Sequence, residues 1–389
     1  MSREYGIIVY GATGYTGRLV CEYLNNQYGV EGDVRWAMAG RSQEKLEAVR
    51  DEMGIAANVP LVVADAGDPA SIDALAASAE VVLTTVGPYQ LYGTDLVRAC
   101  AEEGTDYVDL CGEPGWMYEM IAAYSDRAAA TGARIVFSCG FDSVPFDLGV
   151  YYLQRAAQEK IGKPVTRVKG RVRGMKGTFS GGTLASFQAT MAAAAKTPGL
   201  VERLMNPFSL TQSFKGPEQP SGMEPVHDDD LGSWSAPFMM ATINTKNIHR
   251  SNYLLKHQYG EEFVYDEMML TGPGEKGEAM AKAVMEDKSF SESSRKPGEG
   301  PSKEERETGF YDVLFAGSTA AGETLLASVK GDRDPGYGST CKMIAESAVC
   351  LLKNPDLASG GIWTPASALG DALIDRLQAN AGLSFQLED

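Results

Sequence analysis

The sequence predicts an α/β chain: a doubly wound parallel sheet with a second α/β (α+β) domain inserted before the C-terminal helices. Three observations predict it. Short apolar runs alternate with helical patterns through residues 1–150, as βαβ units require. A glycine cluster ends the first run and opens the first helical pattern. Past Gly149 the alternation gives way to a two-residue period.

In order, Tyr5–Tyr10 is a strand and Gly17–Leu24 a helix, with Leu19, Val20, Tyr23 and Leu24 at helical spacing. Val34–Ala39 is the second strand, and Ser42 caps a helix to Met53 that carries Glu44 in its first turn. Leu61–Val63 precedes a helix from Pro69. Val81–Thr85 precedes a helix over Thr94–Glu103, and Tyr107–Asp109 and Arg134–Phe137 complete the alternation.

The turn after the first strand is Gly11-Ala12-Thr13-Gly14-Tyr15-Thr16-Gly17. Glycines there permit a tight turn, let the backbone approach a pyrophosphate and let the helix pack on the strand, while the helix N-terminus offers free N–H groups to an anion. The spacing is GxxGxxG rather than GxGxxG, and a glycine-rich turn also arises for steric reasons alone. Its place at the first of several βα units makes this a Rossmann-type dinucleotide site. The second strand ends Ala39-Gly40-Arg41-Ser42, with no carboxylate for ribose hydroxyls. Arg41 can fork onto a 2′-phosphate, Ser42 can hydrogen-bond it and Lys45 can assist, so NADP is expected over NAD by roughly 10- to 100-fold. The alternative is a solvated loop arginine. Asp65 can accept from the adenine amino group or be a surface acid. Thr85-Val86-Gly87-Pro88-Tyr89 lies at the carboxyl edge of the sheet, where ligands bind in open α/β folds, and Gly87 is expected close to the pyrophosphate or nicotinamide ribose.

The chain has 389 residues, 44% hydrophobic and 22% charged, which excludes a disordered, collagen-like or disulfide-stapled protein. Its net charge of −17 argues against a nucleic-acid partner. Six cysteines without a CxxC and three histidines without an i, i+4 pair give no expected metal site. No basic-then-apolar leader opens the chain and no window nears 18 uninterrupted apolar residues, so no stable membrane insertion is expected and the expected address is the cytoplasm.

Seven segments in this order, GATGYTG, AGRS, VGPYQLYG (Val86–Gly93), YVDLCGEP (Tyr107–Pro114), SCGFDSVPFDLG (Ser138–Gly149), SGGTLAS (Ser180–Ser186) and GGIWTPASALGDALIDRL (Gly360–Leu377), resemble the saccharopine dehydrogenase-like oxidoreductases. The chain is most similar to their bacterial trans-acting enoyl reductase branch. The resemblance implies an NADP-binding Rossmann domain over 1–148 plus about 336–389, and an inserted domain over 149–335 that shapes the substrate pocket and mediates assembly, with a homo-oligomer, a dimer, expected. It also implies a small-molecule or carrier-bound acyl substrate, as in lipid assembly.

In the second half, Val165–Arg173 has the period of a half-exposed antiparallel strand, with Lys169, Arg171 and Arg173 on one face, either awaiting an anionic contact or solvated. Ser180–Thr183 turns into a helix through Ala195, with Gly181 and Gly182 suited to a close approach. Gln212–Pro237 is expected as a long loop and Lys288–Glu307 as a charged one. The residues Trp234, Phe238, Met239 and Met240 are an apolar wall or core. His249 stands where the family usually has arginine, which argues against an indispensable proton donor there. Tyr311–Ala316 pairs with Thr324–Lys330, Ser339–Leu352 is a buried helix, and Gly360–Leu377 is a turn and a helix.

Reduction of an enoyl thioester needs hydride at the β-carbon, stabilisation of charge on the thioester oxygen and a proton at the α-carbon. Catalytic candidates are Tyr89, Asp142 and Ser143. Tyr89 can instead stack on the nicotinamide, and Asp142 and Ser143 can hold their loop or cap a helix. Cys111 and Glu113 have no partner histidine nearby in sequence, so nucleophilic catalysis is not expected. Two alternatives stand beside the enoyl reductase: an imine reductase of saccharopine type, with Arg171 and Arg173 as carboxylate anchors, and a noncatalytic NADP-binding scaffold.

Overall fold

The computed structural model describes residues 3–30, 32–289, 292, 294–296 and 298–389. Its first half runs β1 (Tyr5–Tyr10), α1 (Tyr15–Tyr28), β2 (Trp36–Gly40), α2 (Gln43–Glu52), β3 (Leu61–Val63), α3 (Pro69–Ser78) and β4 (Ala79–Thr84). A short α4 (Tyr89–Tyr92), α5 (Thr94–Glu103), β5 (Asp106–Val108), α6 (Pro114–Thr131), β6 (Arg134–Val136) and α7 (Val144–Lys160) follow. Apolar runs such as Ile7–Val9 and Val81–Leu83 are wholly buried because helices cover both faces of the sheet. Ser42 caps α2 by accepting the Lys45 N–H at 3.3 Å, and Asp68 caps α3 ahead of Pro69.

Next come β7 (Arg167–Lys176), α8 (Gly181–Ala194), α9 (Leu200–Met205), β8 (Val226–Asp228), β9 (Ser233–Pro237), α10 (Ala241–Leu254), β10 (Val264–Gly272) and α11 (Gly274–Glu286). The chain ends with α12 (Lys303–Glu307), β11 (Phe310–Ser318), β12 (Thr324–Gly331), α13 (Thr340–Lys353), β13 (Gly361–Trp363), α14 (Pro365–Arg376) and β14 (Leu383–Glu388). The first sheet has the parallel order β13-β6-β5-β4-β1-β2-β3. The second is mixed, β14-β12-β11-β7-β10-β9-β8, with β7 parallel to β10 and antiparallel to β11. One apolar core continues from Ile7, Val9 and Leu83 under the first sheet to Phe146, Val172 and Phe315 at the second. Among the described residues no helix is long and apolar enough to cross a membrane.

Several sequence expectations need correction. Gly361–Trp363, expected as a turn, pairs with β6 as a seventh parallel strand; three residues are too few to show a period. The tail expected at 336–389 in the first domain is split. The helix α13 packs on α1, β1, β4 and β5, whereas β14 adds to the second sheet beside β12. The 148/149 boundary falls inside α7, which lies against β11 and β12. The expected loop Gln212–Pro237 contains the β8–β9 hairpin, with Asp228-Asp229-Asp230 leading into its turn. Of the expected charged loop Lys288–Glu307, Phe290, Ser291, Ser293 and Pro297 lie outside the described residues, and its end forms α12.

The basic face of β7 is neither solvated nor open to an anionic ligand. Arg171 is 2% exposed and ion-paired to Asp228 at 3.3 Å and Asp266 at 2.8 Å. Lys169 meets Asp228 at 2.8 Å and Asp230 at 2.6 Å, and Arg173 meets Asp312 at 2.7 Å and Glu388 at 2.6 Å. Each partner comes from a distant strand or turn, so the period alone cannot reveal it. The Arg173 bonds hold the Glu388 carboxyl at about 2, fastening the last strand to β7 across the sheet. Replacing Arg171 by Met strands two buried carboxylates on their remaining partners, and the expected loss is about 3 kcal/mol of unfolding free energy in urea titration. An unchanged midpoint would show that Lys169 and Arg167 neutralise them unaided.

Candidate functional site

The carboxyl ends of β1, β4 and β5 form one edge of a cleft whose floor is largely backbone. Gly11 turns the chain at φ +92°, and its N–H and that of Ala12 both reach Ala39 O, at 3.0 and 3.1 Å. A Cβ at Gly17 would lie 2.1 Å from Gly11 O, so only glycine lets α1 start this close to the strand. Gly14 caps α1 without a side chain, and no acid stands in the first turn, leaving the helix's N-terminal N–H groups to an anion. Gly14, Gly87 and Gly112 are all exposed, and a Cβ at Gly112 would meet nothing within 4 Å.

At the ends of β2 and β3 the cleft widens to about 230 Å³, lined by Thr13, Arg41, Ser42, Lys45 and Asp65. From sequence, Arg41, Ser42, Lys45 and Asp65 are expected at the adenosine end and Thr13 in the glycine turn at the pyrophosphate. Arg41 forms no ion pair among the described residues, while Asp65 uses one carboxylate oxygen to hold the Gly67 N–H at 2.9 Å. These donors and the glycine floor fit a dinucleotide with a 2′-phosphate. Thr16 follows Tyr15 in the first turn of α1, and Val86 and Pro88 flank exposed Gly87 at the end of β4.

The motif acids act on the loops at this edge. Glu113 accepts the N–H groups of Tyr89 and Gln90, each at 2.9 Å, and so shapes the Val86–Gln90 turn. Asp109 accepts from Cys111 N, Ser138 N and the Tyr107 hydroxyl, and burial outweighs those bonds to lift it to about 7. Cys111 is fully buried, which pushes its thiol up and removes it from nucleophilic chemistry.

Tyr89 is not placed as an acid facing the cleft. It is 5% exposed, its ring packs on Trp116, and its hydroxyl donates to Thr84 O at 3.4 Å and accepts from Leu110 N at 3.0 Å. Burial raises that hydroxyl well above its ordinary value, and the side chain is committed to the core. Ser143 accepts from Asn247 Nδ2 at 2.8 Å and does not cap α7 with its side chain.

Asp142 is half-buried; its Oδ1 is buried with no hydrogen-bond partner among the described residues, and burial lifts the carboxyl to about 7. Around this loop α10 and β10 bring residues that sequence reasoning missed. Glu267, 1% exposed, accepts from Asn244 at 2.7 Å and Tyr265 at 2.8 Å. Burial, with Asp142 and Asp266 nearby, raises it to about 8. Among the described residues the side-chain oxygens of Asn244 and Asn247 have no hydrogen-bond partner. His249 is buried, its ring 4.4 Å from that of Phe208, and burial lowers it to about 3, so it stays neutral.

The helix α8 passes above the cleft. Thr190 accepts from Gln90 at 3.2 Å, and a Cβ at Gly87 would lie 3.5 Å from the Ser186 hydroxyl. Behind it a cavity of about 200 Å³ lies among Gln90, Trp116, Thr190, Thr197 and Leu200.

Comparison with known proteins agrees with this geometry. Residues 7–136 match the family model of the saccharopine dehydrogenase NADP-binding domain. A Mycobacterium tuberculosis (strain ATCC 25618 / H37Rv) protein named as a candidate trans-acting enoyl reductase is 41% identical, covering 99% of this chain and 97% of its own. The trans-acting enoyl reductase of Mycobacterium ulcerans (strain Agy99) is 37% identical over 96% of each. The apo saccharopine dehydrogenase (L-Glu forming) of Saccharomyces cerevisiae shares the fold, with a TM-score of 0.54 and 11% identity over 99% of this chain and 100% of that one. Fold and site together define an oxidoreductase of the Rossmann class that binds NADP(H). The chain belongs to the saccharopine dehydrogenase-like family, alongside its trans-acting enoyl reductases.

Arg41→Ala is expected to weaken NADPH binding by roughly 10- to 100-fold in a fluorescence titration and to leave NADH binding within twofold. Equal losses for both nucleotides would remove Arg41 from the 2′-phosphate.

Proposed function

We propose that this protein is an NADPH-dependent reductase of the C=C bond of an enoyl thioester whose acyl chain is lipid-like and carrier-bound. The observation that carries the reading is a pair of buried acids with raised proton affinity, Asp142 in the loop after β6 and Glu267 on β10, in a chain whose near relatives bear the enoyl reductase name. Residues of the β1–α1 turn, with Arg41, Ser42 and Lys45, hold the dinucleotide. When bound, NADPH supplies hydride for the β-carbon.

The chain's own residues supply the rest. As hydride reaches the β-carbon, the π pair moves towards the thioester oxygen, and the α-carbon then takes a proton. Asp142 carries that proton: at pH 7 a large share of its carboxyl is protonated, and no cation pairs with it among the described residues. Ser143 is fully buried and its oxygen accepts from Asn247, so it positions the loop that carries Asp142. Glu267 acts on Asp142 as a second buried acid, so that the two do not ionise together readily. The helices bordering the neighbouring cavity carry exposed Leu91, Met191, Val201 and Met205, a surface suited to an acyl chain. The imine reading loses its anchors, because Arg171 and Arg173 are neutralised inside the second sheet.

With a panel of enoyl thioesters, NADPH oxidation above background is expected, and none would defeat the assignment. Asp142→Asn is expected to lower kcat by roughly 10²- to 10⁴-fold. The wild-type rate should fall as pH rises through about 7, where Asp142 loses its proton.

The same substitution tests the burial independently of turnover. A carboxyl raised from 3.8 to about 7 on folding leaves stability intact below pH 4 and erodes it as pH rises to about 7. Asp142→Asn is therefore expected to raise Tm at pH 8 and to change it little at pH 4. A variant equally destabilised at both values would mean that the acid is not held neutral by its surroundings.

A further inference from the structure

The glycine turn is met from across the cleft by a segment that the dinucleotide assignment leaves unused. Tyr15, next to Gly14, donates its hydroxyl to Pro301 O, and Arg306 Nη1 donates to that same hydroxyl at 2.9 Å and to Pro301 O at 2.8 Å. Gly300 lies so close that a Cβ there would be 2.5 Å from the Tyr15 ring. The ring of Tyr337 meets Tyr15 edge-on at 5.1 Å, and its hydroxyl bonds Ser180 N and the Thr183 hydroxyl at the start of α8. Gly181 N in turn donates to Glu299 O at 3.1 Å. The strap from Glu299 to Arg306 is thus tied both to the start of α1 and to the start of α8.

Of the strap's two cations, Lys303 and Arg306, it is Arg306 that touches Tyr15. This arginine is partly exposed and forms no ion pair among the described residues. The acid whose charge acts on it, Asp334, directs its two oxygens to Gly338 N at 2.6 Å and Tyr337 N at 3.1 Å. Only Nη1 of the guanidinium has hydrogen-bond partners among the described residues. An arginine whose Nε and Nη2 have no hydrogen-bond partner among the described residues, held through Nη1 on the hydroxyl of the first residue of a helix without a capping side chain, is an arrangement suited to a doubly charged phosphate bridge.

We propose that Arg306 is a cofactor-binding residue supplied by the second domain, which takes the pyrophosphate of NADP(H) with the donors left free by Tyr15 and Pro301. The dinucleotide is then held from both sides of the cleft, by α1 below and the strap above. Arg41 reads the 2′-phosphate and Arg306 reads what NADPH and NADH share.

That division sets the test, which rests on the NADP(H) site described above and reads binding rather than turnover. NADPH, NADH and 2′-AMP, which has the 2′-phosphate but no pyrophosphate, are titrated against the full-length wild type, Arg306→Gln and Lys303→Gln. Lys303 lies on the same short helix and loses the same charge. For Arg306→Gln, NADPH and NADH are both expected to bind roughly 10- to 100-fold more weakly, 2′-AMP within twofold of wild type, and Tm to hold within a few degrees. Lys303→Gln is expected to bind all three as wild type does.

Unchanged dinucleotide binding by Arg306→Gln overturns the proposal. So does a loss of 2′-AMP in step with the others, which marks general damage to the site, or an equal effect of Lys303→Gln, which marks a diffuse field rather than a contact. If the wild type binds 2′-AMP but neither dinucleotide, the dinucleotide site itself falls and the proposal falls with it.

Discussion

The carboxylate of Asp147 joins three segments that are far apart in the chain. From the first turn of α7 it accepts the Ser251 hydroxyl of α10 at 2.5 Å and the Ala366 N–H at the start of α14 at 2.8 Å, while Ser251 also meets Thr364 at 2.5 Å. Arg250 then carries α10 to the first sheet by donating to Leu210 O and Ile362 O, both at 2.6 Å. Asp147 forms no ion pair among the described residues, and burial lifts it to about 7 despite these bonds. Removing any one partner would leave a buried polar atom unpaired, which is costlier than the bond itself is stabilising. This joint therefore fixes the rotation of α10. Asn247 sits one turn before Ser251 and Asn244 nearly one turn before that, so both face the loop after β6 and the second sheet. The position of Asp142, Ser143 and Glu267 relative to one another depends on it.

This dependence explains what could be read in the sequence. The strands of the first sheet were legible because they are buried on both faces and show as unbroken apolar runs between turn residues. The nucleotide end was legible too: successive βα turns of a parallel sheet place Thr13, Arg41, Ser42, Lys45 and Asp65 along one edge, and the structure gathers them in one cleft. The acid end was legible only in part. Asp142 and Ser143 lie in a recognisable segment, but Glu267 and Asn244 enter from α10 and β10, more than 100 residues later, and nothing in their local pattern marks them. Tyr89 shows the converse. It stands in a motif at the sheet edge, yet the orientation of its hydroxyl depends on Leu110 and Thr84 and turns it inward.

The basic period on β7 failed for the same physical reason. Alternation reports which residues share a face, and Lys169, Arg171 and Arg173 do; it cannot report that Asp228, Asp266, Asp312 and Glu388 arrive on neighbouring strands and turns to meet them. The last of these comes from the C-terminal strand, which closes the second sheet after the chain has already returned to the first. An ion-pair network assembled from five separate segments is a product of topology, and the sequence shows its members singly.

Charge is separated along the cleft in a way that suits an anionic cofactor and a neutral reacting group. A chain with a net charge of −17 repels a dinucleotide phosphate at long range. The site answers locally, with Arg41 and Lys45 at the adenosine end, the N-terminus of α1 in the middle and Arg306 beside it. Beyond them stand Asp142 and Glu267, neither of which forms an ion pair among the described residues. The one lysine buried in α10, Lys246, bonds Thr242 O at 2.7 Å, and burial lowers it to about 8. In the proposed reduction, fully charged carboxylates at that end would oppose the negative charge developing on the thioester oxygen. Buried acids with raised proton affinity would ease that opposition in the proposed reaction, and the positive end of the cleft is where phosphate is expected to bind. The proposed cofactor orientation and proton transfer thus draw on one arrangement, cations where the strands of the first sheet end and buried acids of raised proton affinity on the loop after β6 and on β10.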